Sequence, residues 1–185
     1  MVPGAPSDET LVRQAQRGDL AAFDELVRRH RDRVYAVVLR LTRNPDDAED
    51  ALQETFISAY RGLSGFGSRA RVSTWLYRIA TNRALDVINR RKAASSLDAE
   101  ETPQVASHTD DYEQAALRRA LEAALAKLPE EFRVAVVLSD VAGLTPTEMS
   151  EVLDVPVGTM KSRVFRARAQ LASMLREPTN LDAVQ

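Results

Sequence analysis

The spacing of apolar side chains along this chain is helical. Leu20, Phe23, Leu26, Val27, Val34, Val37, Val38 and Leu41 fall on one face of a long α-helix, and Asp19 is placed to cap it. His30 lies on or beside that stripe without an evident partner and reads as a packing or surface histidine. A shorter helix, Asp8 to Arg17, comes first and ends at Gly18, after residues 1–7 that are expected to be disordered. Asn44-Pro45 stops the long helix and opens another, with Asn44 as cap and Pro45 in the first turn. Ala48, Ala51, Leu52, Thr55, Phe56 and Ala59 are its core positions. A further helix opens at Ser73 or Thr74, with a core stripe of Trp75, Leu76, Ile79, Ala80, Leu85 and Ile88.

Residues 93–111 lose all periodicity and are rich in small and acidic side chains, the pattern of a linker. Helical spacing returns from Tyr112 to Lys127, with Leu117, Leu121, Ala124, Leu125 and Leu128 inward, and Pro129 breaks that helix. The next buries Phe132, Ala135, Val136, Leu138 and Val141, and Gly143 is suited to a left-handed cap. The pattern predicts an all-α protein of two small helical domains, residues 8–92 and 112–177. A flexible acidic linker joins them, and a tail follows at 178–185.

The last two helices are joined by a tight turn. Thr145 can cap the first, Pro146 suits its first position, and Glu148 completes a capping box. Met149, Val152 and Leu153 form its apolar face. Asp154 sits where the chain must turn, and Asp tolerates the left-handed conformation. The second helix starts near Gly158, and its inward stripe is Met160, Val164, Ala167 and Leu171. Its other side carries Thr159, Lys161, Ser162, Arg163, Arg166 and Gln170, and no acid occurs from Pro156 to Leu175. A capped helix, a short turn and a cationic helix make a helix-turn-helix, whose second helix fits the major groove.

Charge supports this reading only when taken locally. The formal net charge of −2 argues against a nucleic-acid binder, but residues 69–92 carry seven Lys/Arg against the single acid Asp86. Residues 93–116 carry six acids and no Lys or Arg. There are no cysteines, which excludes disulfides and thiolate chemistry, and only two histidines, His30 and His108. His108, in the linker, reads as inert. No apolar run approaches the roughly 20 residues needed to span a bilayer, and no signal peptide is recognisable. A soluble cytoplasmic protein without cofactor, metal or catalytic residues is expected.

Two further surfaces stand out. On the helix from Thr74, residues Tyr77, Arg78, Asn82, Arg83, Asp86, Asn89, Arg90 and Arg91 lie off the core stripe. They follow a flexible loop holding Phe66, Arg69 and Arg71. With Trp75 at the start of the helix, this is a candidate site for single-stranded nucleic acid, cations tracking the backbone and a pocket taking an unstacked base. The second surface is acidic. The helix dipole explains Asp46 and Asp47 in the first turn after Pro45, but not the outer face formed by Asp50, Gln53 and Glu54. A basic partner would explain it.

Three stretches in this order resemble the extracytoplasmic-function (ECF, group 4) sigma factors of the σ70 family. They are DAEDALQETFISAYR from Asp47, STWLYRIATNRALDVINRR from Ser73 and VPVGTMKSRVFRARAQL from Val155. The resemblance implies a promoter-specificity subunit of RNA polymerase with a σ2-like bundle and a σ4-like four-helix domain. It implies that Asp50, Gln53 and Glu54, with Leu52 and Phe56, dock on the β′ clamp helices, and that the β subunit is also contacted. It implies that the loop from Gly62 to Arg71 and the helix after it capture a flipped base of the non-template −10 strand, with Asn82 at a position used there. It places Lys161, Ser162, Phe165 and Arg166 at positions that read the −35 duplex. It also implies a cognate anti-sigma factor. Gly67 and Val72 depart from the basic and aromatic residues often found in that loop, and Asp154 stands where Gly is common.

The linker length fits such a role. Promoter elements about 17 base pairs apart lie roughly 60 Å from each other, and an extended linker of this length reaches at most about 65 Å. A monomer with two different readers needs no two-fold symmetry. The competing readings are a stand-alone helix-turn-helix regulator, which would bind duplex DNA without polymerase, and a metal-dependent nuclease or recombinase using Asp46, Asp47, Asp50 and Glu54.

Overall fold

The computed structural model describes residues 5–67, 70–95 and 112–176. Helices α1 (Asp8–Gln16), α2 (Leu20–Thr42), α3 (Pro45–Gly62) and α4 (Val72–Ser95) form the first domain, and a 3-10 turn over Leu63–Gly65 follows α3. Helices α5 (Tyr112–Lys127), α6 (Glu130–Val136), α7 (Pro146–Leu153) and α8 (Val157–Arg176) form the second, with a π-helical turn at Val137–Val141 after α6. No strand occurs among the described residues. Residues 1–4, Arg69, the linker from residue 96 to 111 with His108, and the tail from residue 177 lie outside them.

Caps set the helix starts. The Asp19 side chain accepts from the Ala22 N–H at 3.2 Å, and Asn44 accepts from those of Asp46 and Asp47 at 2.8 and 3.0 Å. Residues 5–7 are ordered, contrary to expectation. Ser7 caps α1, and the Pro6 carbonyl accepts from Arg29 at 2.7 Å. The same strand of contacts supplies the partner that His30 lacked in sequence. Its Nε2 lies 2.8 Å from the Asp8 carboxylate, and the side chain is buried. Nothing local to His30 could reveal a partner 22 residues away.

The first core is built where α2, α3 and α4 meet. Val34, Val37, Val38 and Leu41 of α2 pack on Ala48, Ala51, Leu52 and Ala59 of α3 and on Leu76, Tyr77, Ala80 and Ala84 of α4. The many alanines let helix axes approach closely. The core register of α4 differs from the expected stripe. Val72, Thr74, Leu76, Tyr77, Ala80, Thr81 and Ala84 are buried, while Trp75, Ile79, Leu85 and Ile88 are only partly so. The reason is that α4 is covered on two sides, by α2 and α3 and also by α7. Leu20, 60% exposed, falls outside the core because it opens α2 ahead of the bundle.

In the second domain Ala124, Leu125, Leu128, Val136, Ala167 and Leu171 join α5, α6 and α8. Leu117 and Leu121, expected inward, are 65% and 38% exposed, because among the described residues no neighbouring helix covers that end of α5. Val141 is likewise exposed, since the π-helical turn rotates it off the face of α6, and Phe132 is half-buried. The domains touch. Val134, Val137, Leu138, Leu144, Met149 and Val152 belong to one apolar cluster with the first-domain residues.

Candidate functional site

The helix-turn-helix begins with the expected capping box. The Thr145 N–H donates to Glu148 Oε2 at 2.9 Å, and the Glu148 N–H donates to Thr145 Oγ1 at 3.3 Å. Asp154 closes α7 with φ of 54°, and its N–H donates to the Ser150 carbonyl. Met160, Val164, Ala167 and Leu171 anchor α8 inward. That leaves Lys161, Ser162, Phe165 and Arg166 exposed along its outer side, with Phe165 75% exposed. Thr159 is half-buried at the start of this face, where its carbonyl accepts from Ser162 Oγ at 2.9 Å.

The cations of α8 have two uses. Arg163, expected among the DNA contacts, lies 2.6 Å from Glu131 and ties α8 to α6. Arg168 Nη2 sits 2.5 Å from Asp140 and also donates to Ser139, and this guanidinium holds the Asp140 carboxyl below its usual range. Lys161 and Arg166 make no ion pair among the described residues.

A second surface is a cavity of about 380 Å³ at the start of α4. It is lined by Gly65, Phe66, Gly67, Ala70, Thr74, Trp75 and Arg78, and closed by Glu151 and Val152 of α7. Phe66 and Trp75 stack with ring centroids 4.7 Å apart and planes tilted by 38°. Gln16, which no local pattern singles out, pins this loop from α1. Its Nε2 donates to the Leu63 and Phe66 carbonyls at 2.9 and 3.0 Å. Only a contact across 47 to 50 residues of sequence gives Gln16 this role.

Of the other residues expected here, Arg71, Arg78, Asn82, Asp86, Asn89 and Arg90 are exposed. Tyr77 is not a surface residue. It is 4% exposed, and burial raises the pKa of its hydroxyl, so it belongs to the core. Arg83 pairs with Asp86 at 3.2 Å, and Arg91 with Asp47 at 3.2 Å. Val72 is buried, which explains an aliphatic side chain there.

The acidic surface lies on the far wall of the groove between α3 and α4. Asp50, Gln53 and Glu54 are exposed along α3 and face Arg83, Asn89 and Arg90 of α4 across a space of about 930 Å³. Leu52 does not belong to this surface. It is 3% exposed and supports α3 from beneath. Phe56 is half-buried and lines an apolar hollow with Phe23, Ile57 and Tyr60, where the Phe23 and Tyr60 rings meet edge-on at 5.1 Å. Ile57 and Tyr60, 42% and 49% exposed, extend the face beyond the expected residues. Ile57 lies four residues after Gln53 and Tyr60 four after Phe56, and that helical spacing was the available signal. Among the described residues no group of three or more His, Asp or Glu could hold a metal ion, and no helix is long and apolar enough to cross a membrane.

The two-domain helical fold thus combines a helix-turn-helix with an exposed cationic face, an aromatic-lined cavity and an acidic wall on α3. Residues 26–94 match the Sigma-70 region 2 family, and residues 118–171 match Sigma-70, region 4. The ECF RNA polymerase sigma factor SigM of Mycobacterium tuberculosis (strain ATCC 25618 / H37Rv) is 41% identical over 91% of this chain and 85% of its own length. The sigma factor RpoE of Bartonella quintana, solved with the anti-sigma factor NepR, superposes with a TM-score of 0.74 at 25% identity. That match covers 84% of this chain and 98% of RpoE. CnrH, solved with the cytosolic domain of CnrY, gives 0.70 at 28% identity over 91% of this chain and 96% of that one. The protein belongs to the ECF sigma factors of the σ70 family.

Proposed function

We propose that this sigma factor binds core RNA polymerase through the outer face of α3 and reads promoter DNA at two places. Asp50, Gln53 and Glu54 meet the basic β′ clamp helices, with Phe56, Ile57 and Tyr60 supplying the apolar contact. The β subunit engages the second domain. Lys161, Ser162, Phe165 and Arg166 of α8 read the −35 duplex. The Phe66–Trp75 pocket, with Arg71, Arg78 and Asn82, takes a base unstacked from the non-template −10 strand. The chain is not itself an enzyme, works as a monomer in the cytoplasm, and is held inactive by an anti-sigma factor until a signal releases it. The complex of RpoE with NepR supports that last element.

One observation carries the reading. A single chain presents both a helix-turn-helix with an exposed cationic face and, on its other domain, a cavity of about 380 Å³ lined by the Phe66 and Trp75 rings. A regulator that binds only duplex has no use for the pocket. The test is transcription by core polymerase on genomic fragments, together with co-elution of the two proteins. Wild type should bind core and start transcripts. Gln53→Ala/Glu54→Ala, altered only at exposed positions, should stay folded and lose co-elution. Tight duplex binding by a dimer, without any polymerase contact, would make it a stand-alone regulator instead.

A further inference from the structure

The pocket at the start of α4 has two kinds of wall. Trp75 and Arg78 stand on a helix packed into the core, whereas Phe66 belongs to the turn that leaves α3. Gly65 and Gly67 flank Phe66, and glycine gives up more backbone freedom than any other residue when it is fixed. Such a turn does not hold its own ring in place. Its internal bond, from the Phe66 N–H to the Leu63 carbonyl at 3.1 Å, closes the turn without attaching it to anything else.

The attachment comes from α1. Leu63, 3% exposed, lies in the same apolar cluster as Leu11, Val12 and Ala15 of that helix. Gln16, the last residue of α1, adds the polar half. A side-chain amide carries two hydrogens, and Gln16 donates to the Leu63 carbonyl at 2.9 Å and to the Phe66 carbonyl at 3.0 Å. Among the described residues these are the hydrogen bonds that tie the turn to another helix. The other end of α1 is anchored on α2, where Asp8 lies 2.8 Å from His30 and 3.1 Å from Arg29. The amide is therefore presented from a fixed support. Gln16 is itself exposed, so the core does not require it.

We propose that Gln16 is a positioning residue of the −10 reader. It acts on the base through Phe66, by holding the two carbonyls that bracket the turn and so setting the spacing and tilt of the Phe66 ring against Trp75. Helix α1 then forms part of the reading domain, although the Sigma-70 region 2 match begins only at residue 26. The inference rests on the pocket assignment above. Its physical basis is preorganisation: an unstacked base gains most from rings that are already in place. Binding weakens in proportion to the fraction of time the site is formed.

Trp75 is the single tryptophan of the chain, so its emission reports on this pocket. Gln16→Met keeps the length of the side chain and lacks the donor. In the free full chain it should leave thermal unfolding nearly unchanged and raise acrylamide quenching of Trp75. Strand binding is then measured by fluorescence anisotropy on holoenzyme assembled with bacterial core polymerase. The probes are labelled oligodeoxythymidylate, oligodeoxyadenylate and oligodeoxycytidylate, and an abasic strand of equal length. Wild type should prefer at least one base-bearing strand to the abasic one, since phosphate contacts are common to all and only a base can stack. If loss of the amide leaves the pocket formed about a tenth of the time, that preference should fall about tenfold in Gln16→Met. Binding of the abasic strand, of core and of −35 duplex should not change. Gln16→Glu, which sets a carboxylate against two carbonyls, should lose at least as much preference. A Gln16→Met protein that keeps the wild-type preference would overturn the proposal and leave the pocket assignment standing. So would an equal loss on every strand, the abasic one included. A wild type that distinguishes no base from the abasic strand would instead remove the pocket assignment, and the role of Gln16 with it.

Discussion

Phe165 and Met160 lie five residues apart on α8, one 75% exposed and the other fully buried. Their substitutions should therefore separate reading from folding. Phe165→Ala should change unfolding free energy by less than about 0.5 kcal/mol and still weaken −35 duplex binding. Met160→Ala should cost about 2–5 kcal/mol and remove duplex binding through loss of the domain. Chemical denaturation alongside fluorescence anisotropy checks both. Glu148 offers a second residue-scale test. Folding lowers its pKa below the ordinary 4.5, through the Thr145 N–H first and then the Thr145 and Thr74 hydroxyls and Arg71. A carboxyl of this kind stabilises the fold above its ordinary pKa, and the contribution fades as pH falls through the lowered value. The Tm gap between wild type and Glu148→Gln should be widest near neutral pH and narrow progressively as the solution is acidified below 4.5. The exposed α8 residues were legible in sequence because helical spacing alone puts them opposite Met160 and Leu171. The pairing of Arg163 with Glu131 was not, since it depends on where α6 lies.

At the scale of the element, capping chemistry decides where helices begin and end. Thr145→Ala removes the hydroxyl from the box that opens α7 and should destabilise the second domain by about 0.5–2 kcal/mol, read by thermal unfolding. Asp154 has φ of 54°. Asp154→Gly should be neutral or mildly stabilising, whereas Asp154→Val should cost about 1–2 kcal/mol because a Cβ-branched residue meets the carbonyl there. These boundaries could be read from sequence, as each depends on residues within four positions. The face of α4 could not. Packing by α2 and α3 on one side and α7 on the other buries Tyr77 and Thr74 together, so no single stripe describes the helix. Similarly, the open end of α5 leaves Leu117 and Leu121 exposed despite perfect helical spacing.

For the whole molecule, the separation of charge matters more than its sum. An acidic wall on α3 and a basic wall on α4 face each other across one groove, so under the proposed function the protein and DNA partners approach from adjoining sides. Leu52 lies beneath that acidic wall. Leu52→Ala should cost about 2–5 kcal/mol of stability and reduce polymerase binding only in proportion to unfolding. Gln53→Ala/Glu54→Ala should do the reverse. Circular dichroism with co-elution separates the two.

By itself the sequence determined the order of helices, their caps, the helix-turn-helix and the segregation of charge. Those features rest on interactions between near neighbours or on local composition, and they survive whatever the distant chain does. Tertiary structure alone decided which arginines pair, that Gln16 holds the pocket loop, that Tyr77 is core, and that α7 lies against α4. Each of these depends on residues brought together across tens of positions, where packing geometry, not spacing, selects the contact.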